Sequence, residues 1–284
     1  MARKPSIAIV GPGSLGRVFA ESLWRAGYRL REVVAGESRA SRAKAKELAA
    51  KTGARAATRK NAELDADIIW FCVPDREIGR AALNLSAVTN WKGKVALHSS
   101  GVLGSDELEV LHARGAAVAS AHPVMTFVPG SQPSLAGVAF AIEGDPSAIR
   151  VVRAIVVALK GEAFSISKQK KAAYHAWGAF ISPLLVAALA TAEEVARAAG
   201  IDRTTARRRA QPILGQTLRN YAALGPAGAF SGPLRRGDVA TIAKHLQVLS
   251  KIPGAREVYV VLARVALRHL PAKNVALLKK TLRR

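Results

Sequence analysis

Short apolar runs alternate with stretches whose apolar residues recur every three or four positions, and this alternation fills the first 166 residues. Ile7–Val10 is an apolar run that ends at Gly11, which predicts a short buried strand. Leu15–Ala26 has helical spacing and stops at Gly27. Leu30–Ala35 predicts a second strand, and Ser38–Thr52 a second helix closed by Gly53. Asp67–Val73 (DIIWFCV) is a strongly apolar strand ending at Pro74, and Lys94–His98 and Ala116–Ala121 predict two more. Val138–Ile142 and Ala163–Ile166 extend the sheet, with a helix over Pro146–Leu159 between them. Repeated strand–helix alternation implies a parallel sheet with helices on both faces.

Beyond Lys168 strands become scarce. Helical spacing covers Lys171–Ala199, Thr204–Leu224, Val239–Lys251 and Arg256–Leu270, with Gly200, Gly225 and Gly232–Pro233 as punctuation. The expected fold is therefore α/β: a Rossmann-type, doubly wound, mostly parallel sheet over residues 1–166, and a second, all-helical domain for substrate and dimerisation over 167–284. Ala172–Ala192 carries no Asp, Glu, Lys or Arg and is long enough to cross a bilayer. Its alanines, with Tyr174, His175, Ser182 and Pro183, point instead to a buried helix of a soluble protein. Its apolar length exceeds what a small helical domain buries alone, which predicts a homodimer.

Gly11-Pro12-Gly13-Ser14-Leu15-Gly16 reads G-x-G-x-x-G between the first strand and the first helix. Gly11 permits the tight turn, Gly13 lets a pyrophosphate approach the backbone, and Gly16 lets helix and strand pack closely. The helix N-terminus at Ser14, Leu15 and Gly16 then faces the phosphates. Dinucleotide enzymes that use NAD place an acid at the end of the second strand, about 20 residues on. Here Ser38, Arg39 and Arg42 offer a cradle for a 2′-phosphate, so the expected cofactor is NADP(H); Glu37 argues for NAD if it points inward.

Composition adds two constraints. Lys and Arg total 43 against 20 Asp and Glu, a net charge of +23. The basic residues are spread along the chain and aromatics are only 5%, so a solvated surface is the expected reading over a nucleic-acid footprint. The runs Lys168–Lys171, Arg207–Arg209 and Lys279–Arg284 are read the same way. The single cysteine, Cys72, allows no disulfide within the chain and suits a reducing cytoplasm. The apolar run at Ile7–Val10 is too short for a signal peptide. Histidine and cysteine spacing predicts no metal site.

Ligands of open α/β sheets sit beyond the carboxyl ends of the strands. Val73-Pro74-Asp75, His98-Ser99-Ser100-Gly101 and His122-Pro123 all fall at such ends. His122 is the first candidate for acid–base work, since an imidazole titrates near neutrality; a loop-fixing role is the alternative. His98 shares the logic, with a satisfied core histidine as the alternative. His175, beside Tyr174, is a third candidate. Arg236 offers a substrate carboxylate or phosphate a partner, and Asp238 either joins it or caps the helix that follows.

Phe71-Cys72-Val73-Pro74-Asp75, His98-Ser99-Ser100-Gly101, His122-Pro123 with Phe127, Tyr174-His175, and Gly232-Pro233-Leu234-Arg235-Arg236-Gly237-Asp238 with His245 form an ordered set. In order and spacing the chain resembles the Rossmann-like proteins with a C-terminal domain of unknown function, number 2520. That family is similar to prephenate dehydrogenase, pyrroline-5-carboxylate reductase and the β-hydroxyacid dehydrogenases. The resemblance covers nearly the whole chain. It implies a nicotinamide-binding domain followed by a helical domain, often paired in a dimer, with no assigned substrate. Prephenate dehydrogenases have a similar His-Pro motif whose histidine meets the substrate hydroxyl, and a serine matching Ser100. One departure stands out: the family usually reads Ser-Asn where this chain has Ser182-Pro183. The resulting expectation is an NADP(H)-dependent oxidoreductase acting on a small polar substrate in the cleft between the domains. The alternative is a non-catalytic NADP(H)-binding sensor or scaffold, and a polyanion-binding protein is a further rival.

Overall fold

The apolar runs of the first half form one eight-stranded sheet in a computed structural model that describes residues 3–283. Its strands are β1 (Ile7–Val10), β2 (Leu30–Ala35), β3 (Arg55–Thr58), β4 (Ile68–Phe71), β5 (Val95–His98), β6 (Ala117–Pro123), β7 (Ala139–Gly144) and β8 (Glu162–Ser165). They lie in the order β3-β2-β1-β4-β5-β6-β7-β8. All neighbours run parallel except β6 and β7. Every residue of β1, β4 and β5 is buried, because helices cover both faces and a parallel sheet leaves no wet side.

Helices α1 (Ser14–Arg25), α2 (Arg39–Thr52), α3 (Ile78–Leu85), α4 (Glu109–His112) and α5 (Pro146–Ala158) provide those layers. One apolar core joins Ile7, Phe19, Trp70, Leu97, Phe140 and Val152; the other, across the sheet, joins Val10, Ile69, Phe71, Ala82, Trp91 and Leu108. Chain order reverses between β1 and β4, so their carboxyl ends open a crevice of the kind that takes ligands in doubly wound sheets.

The rest of the chain is helical: α6 (Lys171–Ile181), α7 (Pro183–Ala198), α8 (Arg203–Ala229), α9 (Pro233–Arg236), α10 (Val239–Leu249), α11 (Ala255–His269) and α12 (Val275–Thr281). Two compact units result, Met1–Ala179 and Phe180–Arg284. The division falls later than Ser167 because Lys171 and Tyr174, on the first turn of α6, are hydrogen-bonded into the sheet. The second unit has its own small core of Ile242, Leu246, Val260, Leu267, Leu278 and Leu282.

The single buried helix expected over Ala172–Ala192 is corrected on two counts. Ser182 leaves helical geometry (φ −127°, ψ −82°) and Pro183 starts a new helix, since proline has no N–H to continue the old one. Its large apolar side chains are also exposed: Trp177, Phe180, Ile181, Leu184, Leu185 and Val186. The helix α8 is broken in turn at Gly225, whose φ of 68° lies outside the helical region.

Candidate cofactor and catalytic site

The turn from β1 into α1 is dictated by its glycines. Gly11 has φ +104°, and a side chain there would meet the Cys72 carbonyl oxygen at 2.6 Å. A Cβ on Gly16 would lie 2.0 Å from the Gly11 carbonyl oxygen. Gly13 differs: its φ is −71°, and a Cβ would meet nothing within 4 Å. The protein itself has no need of glycine at this position, so the space it leaves faces outward. Helix α1 has no side-chain cap and no acid in its first turn. The N–H groups at Ser14, Leu15 and Gly16 are therefore free for an anion. A cavity of about 200 Å³ beside Gly13 and Ser14 is lined by Arg17, Lys44 and Lys51, with Glu21 and Glu47 also in its wall. Of the basic residues, Lys51 pairs with Glu21 at 2.7 Å and Arg17 donates to the Ser131 carbonyl at 3.0 Å, so the backbone N–H groups of the turn are what suit a pyrophosphate.

At the end of β2, Ser38 caps α2 by accepting the Ser41 N–H at 3.0 Å, and Ser41 Oγ accepts from Gly36 N at 2.9 Å. The small loop is thereby closed, and Arg39 and Arg42 project from it, both exposed. Arg42 donates to the Glu37 carbonyl, while the Glu37 side chain points to solvent. The inward acid that would favour a ribose diol is absent from this turn.

Two strand ends further along the same edge carry histidines, His98 at β5 and His122 at β6. His98 is fully buried and has both nitrogens engaged. Nδ1 accepts from Ser100 N at 3.1 Å, which leaves Nε2–H to donate to the Gly104 carbonyl at 2.9 Å. Burial holds its pKa down, to about 4. Ser100 Oγ donates to Asp75 Oδ2 at 2.8 Å and accepts from the N–H groups of Val102 and Leu103. His122, half-buried, sits two residues beyond Ser120, which pairs with His98 across the sheet. Its Nδ1 lies 2.7 Å from the Tyr174 hydroxyl, and burial first, then the charge of Lys171, lowers its pKa to about 4. His175 is exposed, with its ring 6.1 Å from that of His122. Gly101 runs against both rings; a Cβ there would lie 2.7 Å from His175 Cδ2 and 2.8 Å from His122 Nε2. Ser100, Asp75, His122, Tyr174 and His175 thus share one site with the backbone of the loop after β5.

Residues 2–123 match a family model described as a Rossmann-like domain, and residues 138–266 match the domain of unknown function DUF2520. The chain joins a Rossmann-like domain to a DUF2520 domain. The DUF2520 match begins at β7, so this region supplies two strands of the sheet as well as helices. No curated protein matches the chain. Among solved structures it is similar to a protein named as an NADP oxidoreductase from Bacteroides fragilis, at 21% identity and a TM-score of 0.78 over 92% of this chain and 97% of that one. A reductive aminase from Aspergillus terreus, in complex with NADPH and ethyl-5-oxohexanoate, is 18% identical with a TM-score of 0.65 over 98% and 99%. A pyrroline-5-carboxylate reductase from Coxiella burnetii is 15% identical with a TM-score of 0.60 over 98% and 99%. At these identities the likeness establishes the fold.

Within the DUF2520 region the expectations separate. Asp238 uses both carboxylate oxygens on Thr241, accepting from its N–H at 3.0 Å and its hydroxyl at 2.7 Å, so it caps α10. Arg236 is exposed at the end of the short α9. His245 meets the Tyr259 hydroxyl at 3.1 Å. Lys171 corrects the reading of Lys168–Lys171 as solvated. It is fully buried, and its Nζ donates to the Ser100 carbonyl at 3.1 Å and to Ser120 Oγ at 2.7 Å, with Glu143 Oε1 at 3.9 Å. Burial pushes its pKa down, and Glu143 opposes that shift. Sequence reasoning missed it because four charged or polar residues in a row look like surface; its place as the first residue of an apolar helix was the available signal. Among the described residues no His, Cys, Asp and Glu cluster could hold a metal ion.

Proposed function

We propose that this chain is an NADP(H)-dependent oxidoreductase that transfers a hydride to or from a small polar substrate. One observation carries the reading: a single edge of the sheet holds both an uncapped helix start with an outward-facing glycine, Gly13, and a histidine, His122, whose ring ends on the solvent side. The NADPH complex of the structurally similar reductive aminase supports the cofactor. In this reading Gly11–Gly16 takes the pyrophosphate, Ser38, Arg39 and Arg42 take the 2′-phosphate, and Val73–Asp75 flanks the nicotinamide. The bound cofactor supplies or accepts the hydride. The chain's part is to orient the substrate at His122, Ser100 and His175.

The same reading includes a homodimer. Helix α7 is apolar only from Pro183 to Ala192, ten residues, before Glu193, Glu194 and Arg197. A bilayer core needs about 20. Helix α6 is anchored to the sheet by Lys171 and Tyr174 and cannot extend the span. A second copy is the cover that suits the exposed apolar side chains.

Cofactor binding tests the proposal. NADPH should raise the melting temperature well above the shift given by NADH, and Arg39→Ala should weaken NADPH far more than NADH. Equal shifts for the two cofactors overturn the 2′-phosphate assignment. In a screen of keto acids, imino acids and hydroxy acids, His122→Ala should keep NADPH binding and lower turnover about a hundredfold. Tight NADPH binding with no turnover across that screen would instead favour a sensor.

A further inference from the structure

We propose that Tyr174 fixes His122 as the tautomer protonated on Nε2, so that the site presents a hydrogen-bond donor and selects substrates with an acceptor, a carbonyl oxygen or imine nitrogen, at the reacting centre. The inference rests on the reading of this edge as a substrate site, and it goes further by assigning the direction of the hydrogen bond that recognises the substrate.

The geometry of the pair decides the donor. Tyr174 Oη and His122 Nδ1 are 2.7 Å apart, so one proton lies between them. A neutral imidazole has one nitrogen that donates and one that accepts. The phenol is much the stronger acid of the two, and the unprotonated ring nitrogen much the stronger base. The proton therefore stays on the phenol and points at Nδ1. Burial reinforces this by raising the Tyr174 pKa to about 12. The phenol cannot swing away easily: its ring is bracketed by Phe164 at 6.1 Å and Trp177 at 5.9 Å, and stands perpendicular to the imidazole at 5.5 Å. With Nδ1 accepting, the ring's own proton must sit on Nε2.

That nitrogen is the open end of the ring. Every buried side-chain nitrogen or oxygen among the described residues has a hydrogen-bond partner, and His122 Nε2 has none, so it reaches solvent. The Gly101 backbone passes in front of it with no side chain to intervene. Burial and the charges of Lys171 and His175 on α6 oppose a second proton on the ring, and together they outweigh Asp75, in the turn after β4, which favours one. Asp75 is engaged by Ser100, Glu143 on β7 is engaged by Ser105, and His98 on β5 is held neutral by burial. A neutral His122 with a free N–H cannot remove a proton from a substrate hydroxyl through Nε2. It can hydrogen-bond an acceptor and polarise it toward the hydride that a bound cofactor would supply, with the proton that completes the reduction drawn from solvent.

Nitrogen NMR on the full-length protein, labelled with ¹⁵N-histidine, tests this without any substrate. The His122 signals are identified by their loss in His122→Ala. The expected spectrum at pH 6 to 8 has a pyrrole-type Nε2 and a pyridine-type Nδ1, and Tyr174→Phe turns that single tautomer into comparable populations of two. A wild-type His122 protonated on Nδ1, or on both nitrogens at pH 7, overturns the proposal, as does a tautomer unchanged by Tyr174→Phe. Circular dichroism confirms that the variant is folded. Once a carbonyl or imine substrate is in hand, Tyr174→Phe should lower kcat about tenfold while leaving NADPH affinity unchanged. Failure here separates from failure of the functional reading. The expected tautomer in a protein that turns nothing over leaves the inference about the ring standing, and turnover with an Nδ1-protonated ring does the reverse.

Discussion

His98 and His122 both resist protonation, and the cost appears as acid sensitivity. In the folded protein the His98 pKa is held to about 4, against an ordinary value of 6.5. Below pH 6.5 the unfolded chain therefore takes up a proton that the folded chain refuses, and stability present above that pH is lost as the pH falls toward 4. For a fully buried ring this amounts to about 2 kcal/mol between pH 7 and pH 5. Few carboxylates titrate in that window, so urea unfolding at the two pH values isolates the histidines. His98→Gln, whose amide can still donate to the Gly104 carbonyl, should show a smaller loss between pH 7 and pH 5 than the wild type. An equal loss would mean that His98 already carries its proton in the fold. The sequence could bring His98, Ser100 and His122 to strand ends because apolar runs end visibly. It could not separate their roles, because a ring's chemistry is set by what its two nitrogens touch, and Gly104 and Tyr174 are contributed by other elements.

The first βα unit shows how one motif mixes folding and binding requirements. Gly16 packs α1 onto the turn with no room for a methyl group, whereas Gly13 has an ordinary φ and open space. Gly13→Val should leave the melting temperature of the free protein within a degree or two and abolish the NADPH-induced rise. Gly16→Val should lower the melting temperature of the free protein by many degrees, since backbone must move to admit it. If Gly13→Val destabilises the free protein as much as Gly16→Val does, the glycine serves the turn and not a ligand. Elements with long periodic patterns, such as α2 and α5, were legible in the sequence. The strand β3 was not: it is four residues at the sheet edge, one of them buried, so no apolar run marks it. The break between α6 and α7 was announced by Pro183, yet the uninterrupted apolar composition on both sides hides it from a periodicity argument.

At the scale of the molecule, charge and apolar surface make opposite demands. A net charge of +23 keeps copies apart at low ionic strength, while the uncovered side chains of α7 and α8 favour association. Leu184, Leu185, Val186, Ile213, Leu218, Tyr221 and Leu224 are each exposed by 41% or more of their surface, more large apolar area than an isolated soluble chain normally leaves in water. A stable pair needs about 800 Å² per partner, which side chains of this size and number can supply. Light scattering at micromolar concentration and moderate salt should give a mass of two 30.0 kDa chains. Leu184→Glu combined with Ile213→Glu should give a single-chain mass with an unchanged far-ultraviolet spectrum, because both side chains stand clear of the small core around Ile242 and Leu267. The like charges of the pair predict a second effect: raising the salt concentration should tighten the wild-type dimer, as screening reduces repulsion between two basic copies. A wild-type protein that scatters as one chain at every salt concentration overturns the dimer and leaves the apolar face to a different partner.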